Sequence, residues 1–146
     1  MGLLSVEDVT HWSIPVNNLE ESEKFYGEFL GLEHAGRLGN SRMTCFNVAE
    51  HSILLCERKN PQDVAAQSEE QVHHSFTVKP ETLLQACKLF LKRHVAFDGL
   101  VHRKQGFFTG RELYFFDPSC NKLELRDSTW SDGMPEPTVE ELAQKA

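Results

Sequence analysis

No run of apolar residues in this chain approaches the roughly 18 needed to cross a bilayer. The longest candidates, such as residues 53–56, are of strand size, so no membrane span is expected. No basic cluster stands out either. Lys plus Arg number 15 against 22 Asp plus Glu, a net charge of −7, which argues against a nucleic-acid or anionic-membrane surface. The cysteines, Cys45, Cys56, Cys87 and Cys120, show no CxxC spacing. Three of them lie in or beside apolar segments, so buried thiols are expected rather than a disulfide frame or a zinc knot. The first residues have no basic segment followed by a long apolar stretch, and Val6 breaks the myristoylation pattern. No export signal is read, and a reducing cytoplasm is the expected address. What remains is a chain of 146 residues, 40% hydrophobic and 25% charged, the composition of one globular domain with a packed core. Its expected partner is a small molecule or another protein.

The order of elements repeats. Residues 8–16 read as a strand, and Asn18 with Glu21 three positions on reads as a helix cap. The helix places Phe25, Tyr26, Phe29 and Leu30 on one side and stops at Gly31. Strands are expected at 33–37, 42–48 and 52–57. After a polar connector over 58–71 the series begins again: a strand at 72–78, a helix opened by Pro80, and strands at 99–104, 111–116 and 122–127. His11-Trp12-Ser13-Ile14-Pro15-Val16 and His73-His74-Ser75-Phe76-Thr77-Val78 share the pattern H-x-S-apolar-x-V at a displacement of 62 residues. Its position before a helix in both halves favours duplication. The expected fold is α+β: a single domain over 7–128, made of module 7–57 and module 72–128, followed by a tail, 129–146, with a short helix after a capping box at Thr138 and Glu141. The tail is assigned no chemistry.

Strand side chains alternate between faces, so His11, Ser13 and Pro15 share one side while Trp12, Ile14 and Val16 share the apolar, helix-packed side. The same parity separates His73, Ser75 and Thr77 from His74, Phe76 and Val78, and places Glu124 with Lys122 and Arg126 on the uncovered face of the last strand. A polar residue on an uncovered sheet face is ordinarily just solvated. Two histidines at equivalent points of a repeat, with a glutamate on the same predicted face, fit a His-His-carboxylate set that occupies one face of a metal's octahedron and leaves other positions open.

The stretch HWSIPVNNLEESEKFYGEFLG beginning at His11, the segment HHSFTV beginning at His73, and GRELYFFDPSCNKLEL beginning at Gly110 resemble the vicinal oxygen chelate superfamily, which includes glyoxalase I, extradiol dioxygenases, fosfomycin resistance enzymes and bleomycin-binding proteins. The resemblance implies two paired βαβββ modules whose mixed sheets form a U-shaped cup with helices outside. It implies a divalent metal held by His11, His73 and Glu124, the three residues that parity selects. It implies a catalytic tyrosine at Tyr114, ten residues before Glu124, and a homodimer. Ser13, Thr77, Arg111 and Arg126 are candidate substrate contacts. Cys120 stands where the final motif usually has glycine.

Two imidazoles and one carboxylate leave a divalent cation positively charged, suited to a substrate that presents adjacent oxygens. An iron-dependent extradiol dioxygenase is the leading expectation, with Fe(II) favoured and Mn, Ni, Co or Zn as other candidates for the same ligands. Its additional acid–base histidine has no match, since Arg58 stands fifteen residues before His73. A glyoxalase-type lyase or isomerase is an alternative, although residues 51–57 offer no central carboxylate as a fourth ligand unless His51 or Glu57 substitutes. A fosfomycin-type thiol transferase shares the ligands and the tyrosine, but the arginine expected nine residues past the glutamate is Gly133. A non-catalytic drug-binding protein would use the cup without a metal.

Overall fold

The computed structural model describes residues 3, 5–63 and 72–146. The chain divides into two units, Met1–Ala66 and Gln67–Ala146. Each carries one βαβββ series, and the class is α+β. Among the described residues no helix is long and apolar enough to cross a membrane.

In the first unit β1 (His11–Val16) leads to α1 (Leu19–Lys24), which runs on into a π-helical turn (Phe25–Phe29), followed by β2 (Glu33–Arg37), β3 (Met43–Val48) and β4 (His51–Glu57). The sheet order is β1-β4-β3-β2, with β1 parallel to β4 and the other pairs antiparallel. The strand expected from residue 8 begins only at His11. There the Asp8 carboxylate accepts the Val9 N–H at 2.7 Å, a local bond that competes with a strand ladder. Asn18 caps α1 through its side-chain oxygen, which accepts the Glu21 N–H at 2.9 Å. Alternation along β1 buries Ile14 and Val16 against Leu19, Tyr26, Phe46 and Leu55, all fully inaccessible. Trp12, expected on that apolar side, is 52% exposed at the start of an edge strand, which has a neighbour on one flank only.

In the second unit β5 (His74–Thr77) precedes α2 (Pro80–Arg93), β6 (Phe97–Arg103), β7 (Gly110–Phe116), β8 (Lys122–Asp127) and α3 (Val139–Ala143). The sheet order is β5-β8-β7-β6, with β5 parallel to β8. Pro80 sits in the first turn of α2, where its missing N–H costs nothing. Leu83, Ala86, Cys87 and Phe90, at three- and four-residue spacings, form the buried face of α2. Phe90 meets Phe115 with ring centroids 4.8 Å apart, over Leu113, Leu123 and Leu125 from the same sheet face. The tail docks on this unit. Thr138 and Glu141 complete the capping box of α3, α3 packs on α2, and the Trp130 indole N–H donates to the Pro135 carbonyl at 2.9 Å. All four cysteines are free; only Cys87 is buried, while Cys45, Cys56 and Cys120 are half-buried rather than in the core.

Candidate functional site

The face of the second sheet that carries no helix is concave, a hollow of about 510 Å³. Register explains which side chains meet there. Ser75 pairs with Glu124, and Glu124 pairs with Tyr114. One row along, Thr77 pairs with Arg126, and Arg126 with Glu112. Because alternate residues of neighbouring strands project to the same side, these six side chains share one face. His73 lies immediately before β5 and brings its ring to the same place: its Nε2 is 3.0 Å from Glu124 Oε2. Its edge stands against the Tyr114 ring, centroids 5.5 Å apart at 78°.

Glu124 is a buried carboxylate, its side chain 5% exposed, whereas the His73 side chain is 32% exposed. An acid in that position is stable only with a partner of complementary charge or donor character, and a single imidazole edge leaves further oxygen lone pairs to satisfy. The pair joins an imidazole nitrogen to a carboxylate oxygen, a donor set suited to first-row divalent metals. His11, the third candidate ligand, is exposed on β1 of the first unit, where its Nδ1 is 3.0 Å from the Thr10 hydroxyl. Ser13 is exposed on the same strand. Among the described residues no group of three or more His, Cys, Asp or Glu in this chain is arranged to hold a metal ion. His73 and Glu124 are thus two ligand candidates brought into contact.

Tyr114 donates its hydroxyl proton to Glu112 Oε2 at 2.9 Å, and Arg103 binds both Glu112 oxygens through Nε at 2.8 and 2.9 Å. Burial, then the Glu112 and Glu124 carboxylates, push the phenol up to about 12 against the lowering effect of Arg103, so the hydroxyl keeps its proton at neutral pH. The hydrogen bonds of Glu112 and then Tyr114 raise the Arg103 guanidinium still further above its ordinary value. Glu112 is 1% exposed and paired. It was not singled out from the sequence, although it has the parity of Tyr114 and was therefore findable. Arg103, Phe107 and Phe108 also line the hollow without having been anticipated.

Of the candidate substrate contacts, Thr77 and Arg126 line the hollow and Arg111 does not. Arg111 is three residues before Tyr114 and so projects to the helix-covered face, where it binds Asp127 at 2.8 Å. Glu57, offered above as a substitute fourth ligand, is already engaged. It accepts from Arg42 at 2.7 and 2.9 Å and from the Leu19 N–H at 2.8 Å. These bonds, Arg42 first, hold its carboxyl below the ordinary range. His74 lies toward the core, and burial lowers its imidazole below the ordinary value.

Comparison with known proteins bears on the family and the fold. The family model described as Glyoxalase/Bleomycin resistance protein/Dioxygenase superfamily matches residues 8–125. The chain is 29% identical to glutathione transferase FosA of Serratia marcescens over 121 residues, 82% of this chain and 80% of that protein. It is 27% identical to metallothiol transferase FosB of Staphylococcus epidermidis over 133 residues, 90% of this chain and 89% of that protein. Its fold is similar to a variant of the fosfomycin resistance protein FosX of Listeria monocytogenes complexed with Mn(II) and 1S,2S-dihydroxypropylphosphonic acid. The TM-score is 0.67 at 18% identity, covering 84% of this chain and 93% of that one.

Proposed function

The chain belongs to the Glyoxalase/Bleomycin resistance protein/Dioxygenase superfamily, and from that premise we propose that it is a divalent-metal-dependent transferase that joins a thiol to a small electrophile carrying adjacent oxygens. The two curated relatives, a glutathione transferase and a metallothiol transferase, favour this reading over the ring-cleaving dioxygenase that the sequence put first. The observation that supports it best is the His73–Glu124 contact on the bed of a hollow that also holds Tyr114 and Arg126.

In this reading His11, His73 and Glu124 hold the metal, Mn(II) being the first to try on the strength of the FosX complex. The ion, when bound, supplies a Lewis acid that polarises an oxygen of the substrate. Fe(II) goes with the dioxygenase alternative. Transfer to an oxirane forms a carbon–sulfur bond and breaks a carbon–oxygen bond, and the thiol's proton ends on the new hydroxyl. Tyr114 orients that oxygen. Its phenol retains its proton, and turning the O–H from Glu112 to the substrate costs one hydrogen bond and makes another. Glu112 and Arg103 hold the ring of Tyr114 in place. Arg126 binds the anionic end, compensating for Gly133 at the position where the resemblance expects an arginine. The protein acts as a homodimer in the cytoplasm, where its four free thiols remain reduced.

The test is to incubate Mn(II)-loaded protein with fosfomycin and glutathione or cysteine and to detect the adduct by mass spectrometry. We expect an adduct, and a fall of more than about 100-fold in its rate in His73→Ala and Glu124→Gln. Oxygen uptake with catechols and no thiol adduct would reject the transferase reading in favour of the dioxygenase.

A further inference from the structure

The hollow does not end at the metal-ligand candidates. The loop between β6 and β7 carries Phe107, fully exposed, and Phe108, 68% exposed, on the rim of the same hollow. Two adjacent phenyl rings in water at a cavity mouth are the kind of exposed apolar surface that marks a binding site. Between them and Glu124 lies Arg126. Its guanidinium carbon is 5.8 Å from the centre of the Phe108 ring, and one terminal nitrogen donates to the Thr109 carbonyl. Its Nε is buried and has no hydrogen-bond partner among the described residues. The other cation of the hollow, Arg103, is already committed to both oxygens of Glu112. Arg126 is therefore the cation of the hollow that no carboxylate among the described residues neutralises, and its guanidinium sits beside aromatic surface.

From this arrangement we infer that Arg126, Phe107 and Phe108 form a subsite for an aromatic anion, a flat ring seated on the phenylalanines with its acidic group on Arg126. Length supports it. Arg126 is two residues along β8 from Glu124, a rise of about 7 Å, and Phe108 lies beyond it. A molecule that reaches from the Glu124 row to Phe108 is longer than a three-carbon phosphonate. The inference refines the proposed function by assigning the substrate an aryl group, and to that extent it rests on that reading.

The experiment is isothermal titration of the full chain, Mn(II)-loaded and metal-free, with phenylphosphonate and with methylphosphonate. Both carry the same anion, and only one carries a ring. Phenylphosphonate is expected to bind about tenfold or more tightly than methylphosphonate. In Phe107→Ala and Phe108→Ala, checked for folding by circular dichroism, the ratio is expected to fall toward one. Arg126→Gln is expected to weaken both ligands. Equal affinities in the unaltered protein would overturn the inference, and so would a preference that survives both phenylalanine replacements. If the replacements leave the preference intact but dissociate a dimer in light scattering, the two rings belong to a subunit contact and the inference is wrong. A ring preference abolished by the replacements supports the subsite with or without Mn(II), whereas the metal reading fails separately if the stripped protein takes up no Mn(II) in the same titration.

Discussion

At the scale of single residues, Cys120 and Gly110 show opposite outcomes of a positive φ. Cys120 adopts φ of +60°, the left-handed region that the Asp117–Asn121 turn requires and that glycine occupies without steric cost. The turn survives a cysteine there because Asp117 accepts the N–H groups of Ser119 and Asn121 at 2.9 and 2.8 Å. Relieving the strain outweighs the extra freedom of the unfolded chain, so Cys120→Gly should raise stability by about 0.5 kcal/mol, read as a higher urea midpoint. Gly110 is the opposite case. At φ of +144° a Cβ would stand 2.6 Å from the Asp127 carbonyl oxygen, which belongs to the β8 backbone and cannot yield. Gly110→Ala should cost about 2 kcal/mol or more in the same measurement. Cys120 was identifiable in the sequence by its departure from the motif. The clash at Gly110 was not, because it depends on how closely β7 approaches β8.

At the scale of elements, alternation made most of the site readable. Ser75, Thr77, Glu112, Tyr114, Glu124 and Arg126 reach one hollow because each is an even number of residues from another member on its own strand, and pairing aligns the strands. Arg111 was misassigned by setting chemical type above that parity. Phe107 and Phe108 could not be placed, since a hairpin loop has no period. Nor could the π-helical turn at Phe25–Phe29, which has the apolar spacing of an ordinary helix. Arg111 is instead part of what fastens β7 to β8. Burial alone would raise the Asp127 carboxyl, but the Thr129 hydroxyl and N–H, and then Arg111, outweigh it and hold the group below its ordinary value. A carboxyl depressed in the folded state stabilises the fold above its unfolded value, about 3.9, and that contribution is lost as pH falls below this. Asp127→Asn leaves the half-buried Arg111 without its counter-ion and should cost about 2 kcal/mol at pH 7. The gap between the two proteins in urea midpoint should narrow below about pH 4. A gap of constant size from pH 3 to pH 7 would show that the charge of Asp127 is not what matters.

At the scale of the whole molecule, the duplicated series was legible because periodicity, caps and the H-x-S-apolar-x-V echo all point the same way. The proposed three-ligand set rests on parity plus resemblance. Sequence can say which face a side chain takes within a strand, but not which surfaces of separate units meet. The proposed homodimer predicts a mass in light scattering of twice that of one chain, and a single chain mass with full metal occupancy would reject it. The proposal's centre is the metal. The most direct measurement is titration of chelator-stripped protein with Mn(II), followed by calorimetry or by the electron paramagnetic resonance of free ion. The account predicts one ion per chain, with affinity falling by about 100-fold or more in each of His11→Ala, His73→Ala and Glu124→Gln while the circular dichroism spectrum is unchanged. Binding that is absent in the unaltered protein, or that survives all three replacements, would contradict it.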